Sequence, residues 1–408
     1  MEVKPKIETF ARIKVMGIGG SGTTAVARMA ELGIRGVEFI SVNTDAQALH
    51  NNMADKKVHI GKSITKGLGS GMNPELGRQA AEESQEEIEE VISNADMVFI
   101  TCGLGGGTGT GAAPIVAELA KNRDILTIAV VTKPFTFEGS KRKEIAEAGY
   151  ENLKDKVDAI ISVQNDRILQ IIDKKTSLID AFKTVDEVLR QGIAGISDLI
   201  TTHGVVNADF ADIRTIMQDA GTAMMGIGRA SGEGRAEIAA KAAVNSPLLD
   251  MTIDGAQGVL FNITGGSDLG MFEIDEAARV ITKNVDPDAR VKFGTVIDET
   301  MGDEIRITVI ATGFDEHNRR PSALNFAPVN DEPMKPLITN APAQTPPLSS
   351  MSAFQSPDVE ESRPEIPRPE VRKPLFSPKP ADPVPMQSSD EDPDDELDIP
   401  AFIRKKMK

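Results

Sequence analysis

Apolar positions follow two rhythms along this chain. Apolar-rich runs at Ile13–Ile18, Glu38–Val42, Met97–Cys102, Ile125–Val131 and Ala159–Val163 predict strands, of which Met97–Cys102 and Ile125–Val131 read as strands buried in a parallel sheet covered by helices. Between them, apolar residues three and four apart predict helices at Ala25–Leu32, Glu75–Ile92 and Ile115–Ala120. The longest such stretch, Leu178–Thr201, sets Ile179, Phe182, Val185, Val188, Leu189, Ile193 and Ile196 at helical spacing. After Gly221 the pattern changes. Strands are expected at Thr222–Ile227, Gly258–Ile263, Val291–Ile297 and Ile305–Ala311, and helices at Ala236–Val244 and Phe272–Ile281. That is a second α/β unit, with no phosphate loop of its own.

Both rhythms stop near Asp315. Proline supplies 17 of the residues between His317 and Ile399, and such a segment cannot bury enough apolar surface to fold. A flexible chain of about 70 residues spans roughly 45 Å on average. Asp390–Asp398 is then acidic, and Leu397–Lys406 turns apolar and basic. Pro400 can start a short helix there, with Ile399, Phe402 and Ile403 as anchors for a groove; a frayed terminus is the alternative.

Composition narrows the function classes. A formal net charge of −17 argues against non-specific binding of nucleic acid or of an anionic membrane by the bulk of the chain. Aromatic residues are 4% with no Trp, so stacking platforms for single strands are not expected. The one cysteine, Cys102, falls in a predicted core strand and cannot form an internal disulfide, which fits a reducing cytoplasm. Met1–Pro5 begins no signal peptide, and no apolar run is long enough to span a bilayer.

The candidate chemistry lies where strands meet glycine. Gly103-Leu104-Gly105-Gly106-Gly107-Thr108-Gly109-Thr110-Gly111 follows the Met97–Cys102 strand and precedes a helix. Unpaired amides at a helix start, the positive end of its dipole and backbone free of Cβ atoms together make an anion site. Thr108 and Thr110 add hydroxyl donors. A tight turn would need one or two glycines; this density favours phosphate. Gly17-Ile18-Gly19-Gly20-Ser21-Gly22 satisfies GxGxxG between a strand and a helix, so a dinucleotide-binding oxidoreductase using NAD is the rival reading. A dinucleotide fold does not require the second glycine loop. No GxxxxGK[ST] occurs, so phosphates must be held mainly by backbone and hydroxyl groups together with a metal ion.

The segment GGGTGTGAAP at Gly105–Pro114 resembles the nucleotide signature of the tubulin/FtsZ family, in the form carried by its bacterial cell-division members. The resemblance runs from about Ile13 to Phe314 and resumes in the last dozen residues. It implies a Rossmann-like GTPase domain over 13–177 and a long central helix over 178–203. A smaller α/β domain would cover 204–314. Residues 1–12 would be a flexible lead, 315–389 a disordered linker, and 390–408 an adaptor-binding peptide.

Within that frame Gly19, Gly20, Ser21, Gly22 and Thr23 face phosphates, as do Gly103, Gly105, Gly106, Gly107, Thr108 and Gly109. Asn43 and Asp45, on the Asn43-Thr44-Asp45 triplet, lie near the nucleotide and its metal; a polar turn with Asp45 capping a helix is the plainer alternative. Gly69, Ser70 and Gly71 sense the terminal phosphate, on a loop that otherwise reads as merely flexible. Thr132 and Pro134 border the sugar, Glu138 contacts it, and Arg142 approaches the phosphates; a solvated pair at (i, i+4) is the alternative for the last two. The family commonly has more glycine and an Asn where Ser21, Thr23 and Thr24 stand, and small apolar residues at Ser70 and Met72.

Phe182 and Asp186 are neighbours on one helix face, where a ring stacks on a purine beside an accepting carboxylate. Guanine offers paired N1–H and N2–H donors and adenine does not, so Asp186 with Asn165 favours guanine. A core Phe beside an exposed Asp is the alternative. Asp209 and Asp212 read as a helix cap with an acid in its first turn, or as two carboxylates that orient water. A helix of about 24 residues spans roughly 36 Å, which separates them from their own chain's phosphates. A head-to-tail neighbour would bring its pair over the terminal phosphate, and such a contact propagates as a filament. The family's mechanism assigns the catalytic acids to Asp209 and Asp212, with Asn207 beside them.

The expectation is therefore a cytoplasmic, self-assembling GTPase of the bacterial division ring, at mid-cell beneath the inner membrane. It would bind GTP or GDP with Mg²⁺, and no protein side chain is assigned to the metal. Its partners would be further copies of itself, together with adaptor and membrane-tethering proteins at 397–406. Nucleic acid and direct membrane insertion are not expected. A plasmid-partition relative and a non-catalytic tubulin-like scaffold compete with that expectation.

Overall fold

The computed structural model describes residues 11–314 apart from 35, 174, 203–205, 207, 250, 251 and 284. The predicted linker, the terminal peptide, most of the lead segment and Asn207 lie outside the described residues.

Ten strands are present: β1 Ile13–Ile18, β2 Val37–Asn43, β3 Lys56–His59, β4 Met97–Gly103, β5 Leu126–Lys133, β6 Ala159–Gln164, β7 Gly221–Ser231, β8 Gly258–Gly265, β9 Arg290–Ile297 and β10 Glu304–Thr312. They form one sheet in the order β3-β2-β1-β4-β5-β6-β7-β10-β8-β9. Pairing is parallel from β3 through β7, and β10 runs antiparallel to both β7 and β8. The β6–β7 ladder, Ala159–Ile161 against Gly221–Ala223, joins the two predicted α/β units.

The apolar-rich runs are explained by helices on both faces. Ile13 and Val15 of β1, with Met97 and Phe99 of β4, pack on one side with Val185, Val188 and Ile193 of the long helix. Met16, Ile18, Val98, Ile100 and Cys102 pack on the other with Ile88, Ala113 and Val116. Phe261, Ile263 and Val309 centre a third cluster under helix Arg235–Val244. Burial pushes the Cys102 thiol up to about 12, so it packs as a small apolar group and not as a nucleophile.

Strand order sets the position of the site. The chain steps outward from β1 through β2 to β3, then returns to the other side of β1 as β4. β1 and β4 therefore part company at their carboxyl ends, which is where an open α/β sheet leaves its crevice.

Helix Leu178–Thr201 matches its predicted bounds, capped by Ser177 accepting from the Asp180 amide. Two glycine segments are partly helix: the second turns through Gly105–Gly107 before its helix starts. Helices run Gly19–Leu32 and Thr108–Lys121, so glycines expected to precede them form their first turns, and Pro114 lies inside the second. Glycine is a poor helix former, by about 1 kcal/mol against alanine, yet packing overrides that here. A Cβ at Gly111 would sit 1.9 Å from the Pro74 carbonyl oxygen. The stretch expected as one helix over Glu75–Ile92 is two, Pro74–Glu83 and Gln85–Ile92. Ser84 between them accepts from the Gly61 amide through its hydroxyl, 3.2 Å away, a bond to a residue distant along the chain. Strand β3 and helices Lys62–Thr65 and Asn165–Ile168 were not expected, being too short to show a period, whereas helix Ala46–His50 is the one that Asp45 was expected to cap in the plainer alternative. Among the described residues no helix is long and apolar enough to cross a membrane.

Candidate functional site

Two hollows adjoin at the crevice between β1 and β4. The first encloses about 420 Å³ and the second about 260 Å³, and both are bordered by Gly20, Ser21, Gly103 and Arg142. The first extends to Asn165, Phe182 and Asp186, past Thr132, Pro134 and Glu138. The second extends to Asn43, Asp45, Gly69 and Ser70, past Gly19 and Gly106–Gly109. Gly22 borders the first. An elongated ligand of nucleotide size fits the combined space.

The glycines explain the floor. A Cβ at Gly20 or at Gly106 would meet nothing within 4 Å. Neither position needs glycine for packing, so bare backbone there suits a ligand rather than the fold. Along helix Thr108–Lys121 the Gly111 amide donates to Gly107, 3.0 Å away; the amides before it stand in the helix's unpaired first turn. Positive dipole and free N–H groups thus face the second hollow.

Several predicted contacts are committed elsewhere. The Thr23 hydroxyl turns back onto the Gly19 and Gly20 carbonyls at 2.9 and 3.0 Å, and Thr24 borders the first hollow in its place. Gly105 donates its amide to the Thr110 hydroxyl, 3.0 Å away, so Thr110 holds the loop. Neither Gly105 nor Gly71 borders either hollow. Ser21 accepts from the Gly103 amide at 2.9 Å. Glu138 is engaged at both oxygens, by the Phe135 amide at 2.9 Å and by Arg142 at 3.0 Å.

Three buried polar atoms here have no partner: Asn43 Nδ2, Arg142 Nε and Asn165 Oδ1. Their polarity is divided. Asn43 Nδ2 borders the second hollow, Asn165 Oδ1 borders the first together with Asp186, and Arg142 lies on the wall that the two share. A buried polar group without a partner costs roughly 1–3 kcal/mol, so each invites a ligand atom of opposite character. One end of the site calls for an anion, and the other for a group carrying adjacent donors.

Asp186 is hydrogen bonded to Arg28 from helix Gly19–Leu32. Burial raises its carboxyl to about 6, outweighing the opposing pull of Arg28. Ile179 and Phe182 look like core residues in the sequence but are 66% and 37% exposed. The first turns of the long helix overhang the hollow and leave an aromatic ring open at its wall, edge-on to Phe135. Sequence reasoning missed Arg28. Arg28 lies four residues after Thr24, one helical turn beyond the glycines, but nothing in that spacing marks the acid it meets.

Asp209 and Asp212 border neither hollow. Asp209 caps helix Phe210–Met217, accepting from the Asp212 amide at 2.7 Å. Asp212 pairs with Lys292 at 2.8 Å. Both lie beyond the far end of the helix that begins at the site.

A divalent cation fits only as a phosphate-bound ion. Among the described residues no group of three His, Cys, Asp or Glu could hold a metal. The carboxylate on the second hollow, Asp45, gives Oδ1 to the amides of Gln47 and Ala48. Its other oxygen remains for an ion held mainly by phosphates and water, the usual habit of Mg²⁺.

Comparison with known proteins follows the same outline. Residues 12–173 match the GTPase domain of the tubulin/FtsZ family, and residues 221–315 match the FtsZ family C-terminal domain. An empty FtsZ dimer from M. jannaschii is 46% identical, with a TM-score of 0.72, over 75% of this chain and 89% of that one. Two Haloferax volcanii proteins share the fold at lower identity. CetZ1, a GDP-bound monomer, is 21% identical with a TM-score of 0.66 over 75% of this chain and 95% of its own. CetZ2, a GTPγS-bound protofilament, is 22% identical with a TM-score of 0.62 over 74% and 92%.

Proposed function

The chain belongs to the tubulin/FtsZ family of GTPases, and from that premise we propose that it is a division-ring protein whose hydrolytic site is completed by a neighbouring copy. The opposed polarity of the two hollows carries the reading of the ligand. Asp186 and Asn165 Oδ1 accept from N1–H and N2–H of guanine, and Phe182 stacks on the base. Pro134 and Thr132 border the ribose, with Glu138 reaching it when it leaves the Phe135 amide. The amides of the Thr108 helix, Asn43 Nδ2 and Arg142 take the phosphates. Bound Mg²⁺, beside Asp45, would neutralise phosphate charge. Hydrolysis of a phosphoanhydride needs positioning and charge stabilisation more than covalent help.

In this reading Asp186 takes the base, Glu138 the sugar and Asp45 the metal, which leaves no carboxylate on either hollow for the attacking water. Asp209 and Asp212, with Asn207, serve that role from the next subunit in a head-to-tail filament. Residues 397–406 dock the filament to adaptor and membrane-tethering proteins.

The reading is tested with the purified full-length chain in GTP, GDP and NAD, following light scattering and phosphate release together. Scattering should rise with GTP alone and decay as phosphate accumulates. Tight NAD binding without GTP binding would return the site to the oxidoreductase reading.

A further inference from the structure

A third hollow, of about 1040 Å³, lies at the opposite end of the sheet from the nucleotide crevice. It opens where β7, β8 and β9 begin at Gly221, Gly258 and Arg290, and where the antiparallel β10 ends at Thr312. Gly313, at a φ of 71°, turns the chain out of β10 beside Gln257 of the lining. Phe314 lines the hollow too and packs against the third apolar cluster. It is the last described residue. The chain is thus held at the rim of the hollow at the point from which its sequence continues to Lys408.

The lining does not suit a small organic ligand, whose sites are mostly apolar with a few polar groups. Charges dominate here: Asp155, Asp219, Asp286 and Asp288, with Lys154 and Arg290. Asp219 is already paired with Lys121 at 3.1 Å. Arg290 donates to the Thr215 carbonyl at 3.4 Å. Asp286 and Asp288 have no ion-pair partner among the described residues, and the Asp288 amide, donating to Asp286 Oδ1 at 2.8 Å, holds the two side by side. Like charges so placed repel one another unless a cation joins them. The chain carries that cation close by. Asp315-Glu316-His317-Asn318-Arg319-Arg320 follows Phe314, and the next adjacent basic pair is not met before Arg372-Lys373. Five residues of extended chain reach roughly 17 Å, enough to bring Arg319 and Arg320 across the hollow from its own rim.

We propose that residues 315–320 occupy this hollow, with Arg319 and Arg320 on the Asp286 and Asp288 carboxylates. The folded body then ends near Pro321, past the point where the apolar rhythm stops. The tail is rooted at the end of the subunit that carries Asp209 and Asp212, since Thr215 and Ile216, on the helix that Asp209 caps, line the same hollow. This docking does not depend on the nucleotide reading of the other two hollows.

Trypsin tests it. The enzyme does not cut before proline, so between Phe314 and Asp390 it has two bonds to cut, Arg319–Arg320 and Arg372–Lys373. Dilute full-length protein without nucleotide is digested briefly, and each cleavage rate is divided by that of a free peptide carrying the same bond in the same buffer. Cleavage tracks the undocked fraction, so the Arg319–Arg320 bond should be cut about tenfold more slowly than its peptide, and Arg372–Lys373 within about twofold of its own. In the double variant Asp286→Asn, Asp288→Asn the protection should fall to about twofold, because exposed ion pairs hold only while both charges are present. Asparagine at 286 still accepts the Asp288 amide, and a circular dichroism spectrum matching the parent shows that the variant folds. Salt at 1 M, where charges are screened beyond about 3 Å, should remove the protection in the parent as well. Equal normalised rates at the two bonds in the parent overturn the proposal. So does protection that survives the double substitution in a folded variant, or salt in the parent. Protection that appears only when GTP drives assembly would give the hollow to a neighbouring copy, and overturns it too.

Discussion

Asp212→Asn protein should bind GTP and form filaments as the parent does, while hydrolysing GTP about 100- to 1,000-fold more slowly. The size follows from removing a carboxylate that orients the attacking water. Its separation from binding follows from geometry, since Asp212 borders neither hollow and, in the proposed filament, would meet nucleotide only across the contact between copies. Asparagine keeps the volume and leaves the Asp212 amide free to donate to Asp209. The neighbouring acid needs the same care. Asp209→Ala removes a helix cap, costing about 1 kcal/mol, so Asp209→Asn, which still caps, isolates chemistry from folding. Filament length by electron microscopy and phosphate release on the same sample check the prediction. Loss of nucleotide binding in Asp212→Asn would contradict an assignment in trans.

The second large effect is at the base. Asp186→Asn should weaken guanine nucleotides about 100-fold. An amide offers one acceptor and one donor, and the donor opposes a guanine donor. The native interaction also depends on pH. With its carboxyl near 6, Asp186 gains a proton as pH falls through that value and loses its strength as an acceptor. Wild-type GDP affinity should therefore decline below pH 6 relative to Asp186→Asn, in which this step is missing. Taking the difference cancels the titration of the phosphates, which both proteins feel. Unfolding does not mimic the effect through this group. Its folded value lies above its ordinary 3.8, so protonation favours the fold as pH drops from 6 and that contribution disappears as pH rises. Equilibrium binding between pH 5 and 8 reads both quantities, and parallel curves would refute the role of the carboxylate.

Much of this architecture is legible in apolar rhythm. A strand buried on both faces does not alternate, so β4 and β5 stand out as apolar runs, and the long helix shows its stripe along its whole length. The glycine-rich turns were legible as an anion site but not as helix. Intrinsic propensity says glycine should not continue a helix, and only the contact of Gly111 with Pro74 explains why it does. Ser84 hides for the opposite reason. Its sequence neighbourhood is amphipathic, and the bond its hydroxyl accepts comes from Gly61, far away along the chain.

Within the site, Asn165, Phe182 and Asp186 meet at one hollow as their types and spacing imply. Thr23 turns its hydroxyl to backbone carbonyls and Gly105 gives its amide to the Thr110 hydroxyl, partners that no spacing rule shows. Arg28 escaped for a related reason: an arginine on an exposed-looking helix face carries no mark of the acid it meets across the fold. The proposed trans arrangement rests in the sequence on a length, a helix too long to let both ends serve one site, and on the family resemblance.

The central claim is that one copy holds the nucleotide and another supplies the acids. It is tested most directly by measuring GTP hydrolysis per subunit across the concentration range in which filaments appear. The rate should be close to zero in dilute, monomeric protein and rise steeply at the onset of assembly. A rate per subunit that stays flat through that range, already full in the monomer, would contradict the shared site.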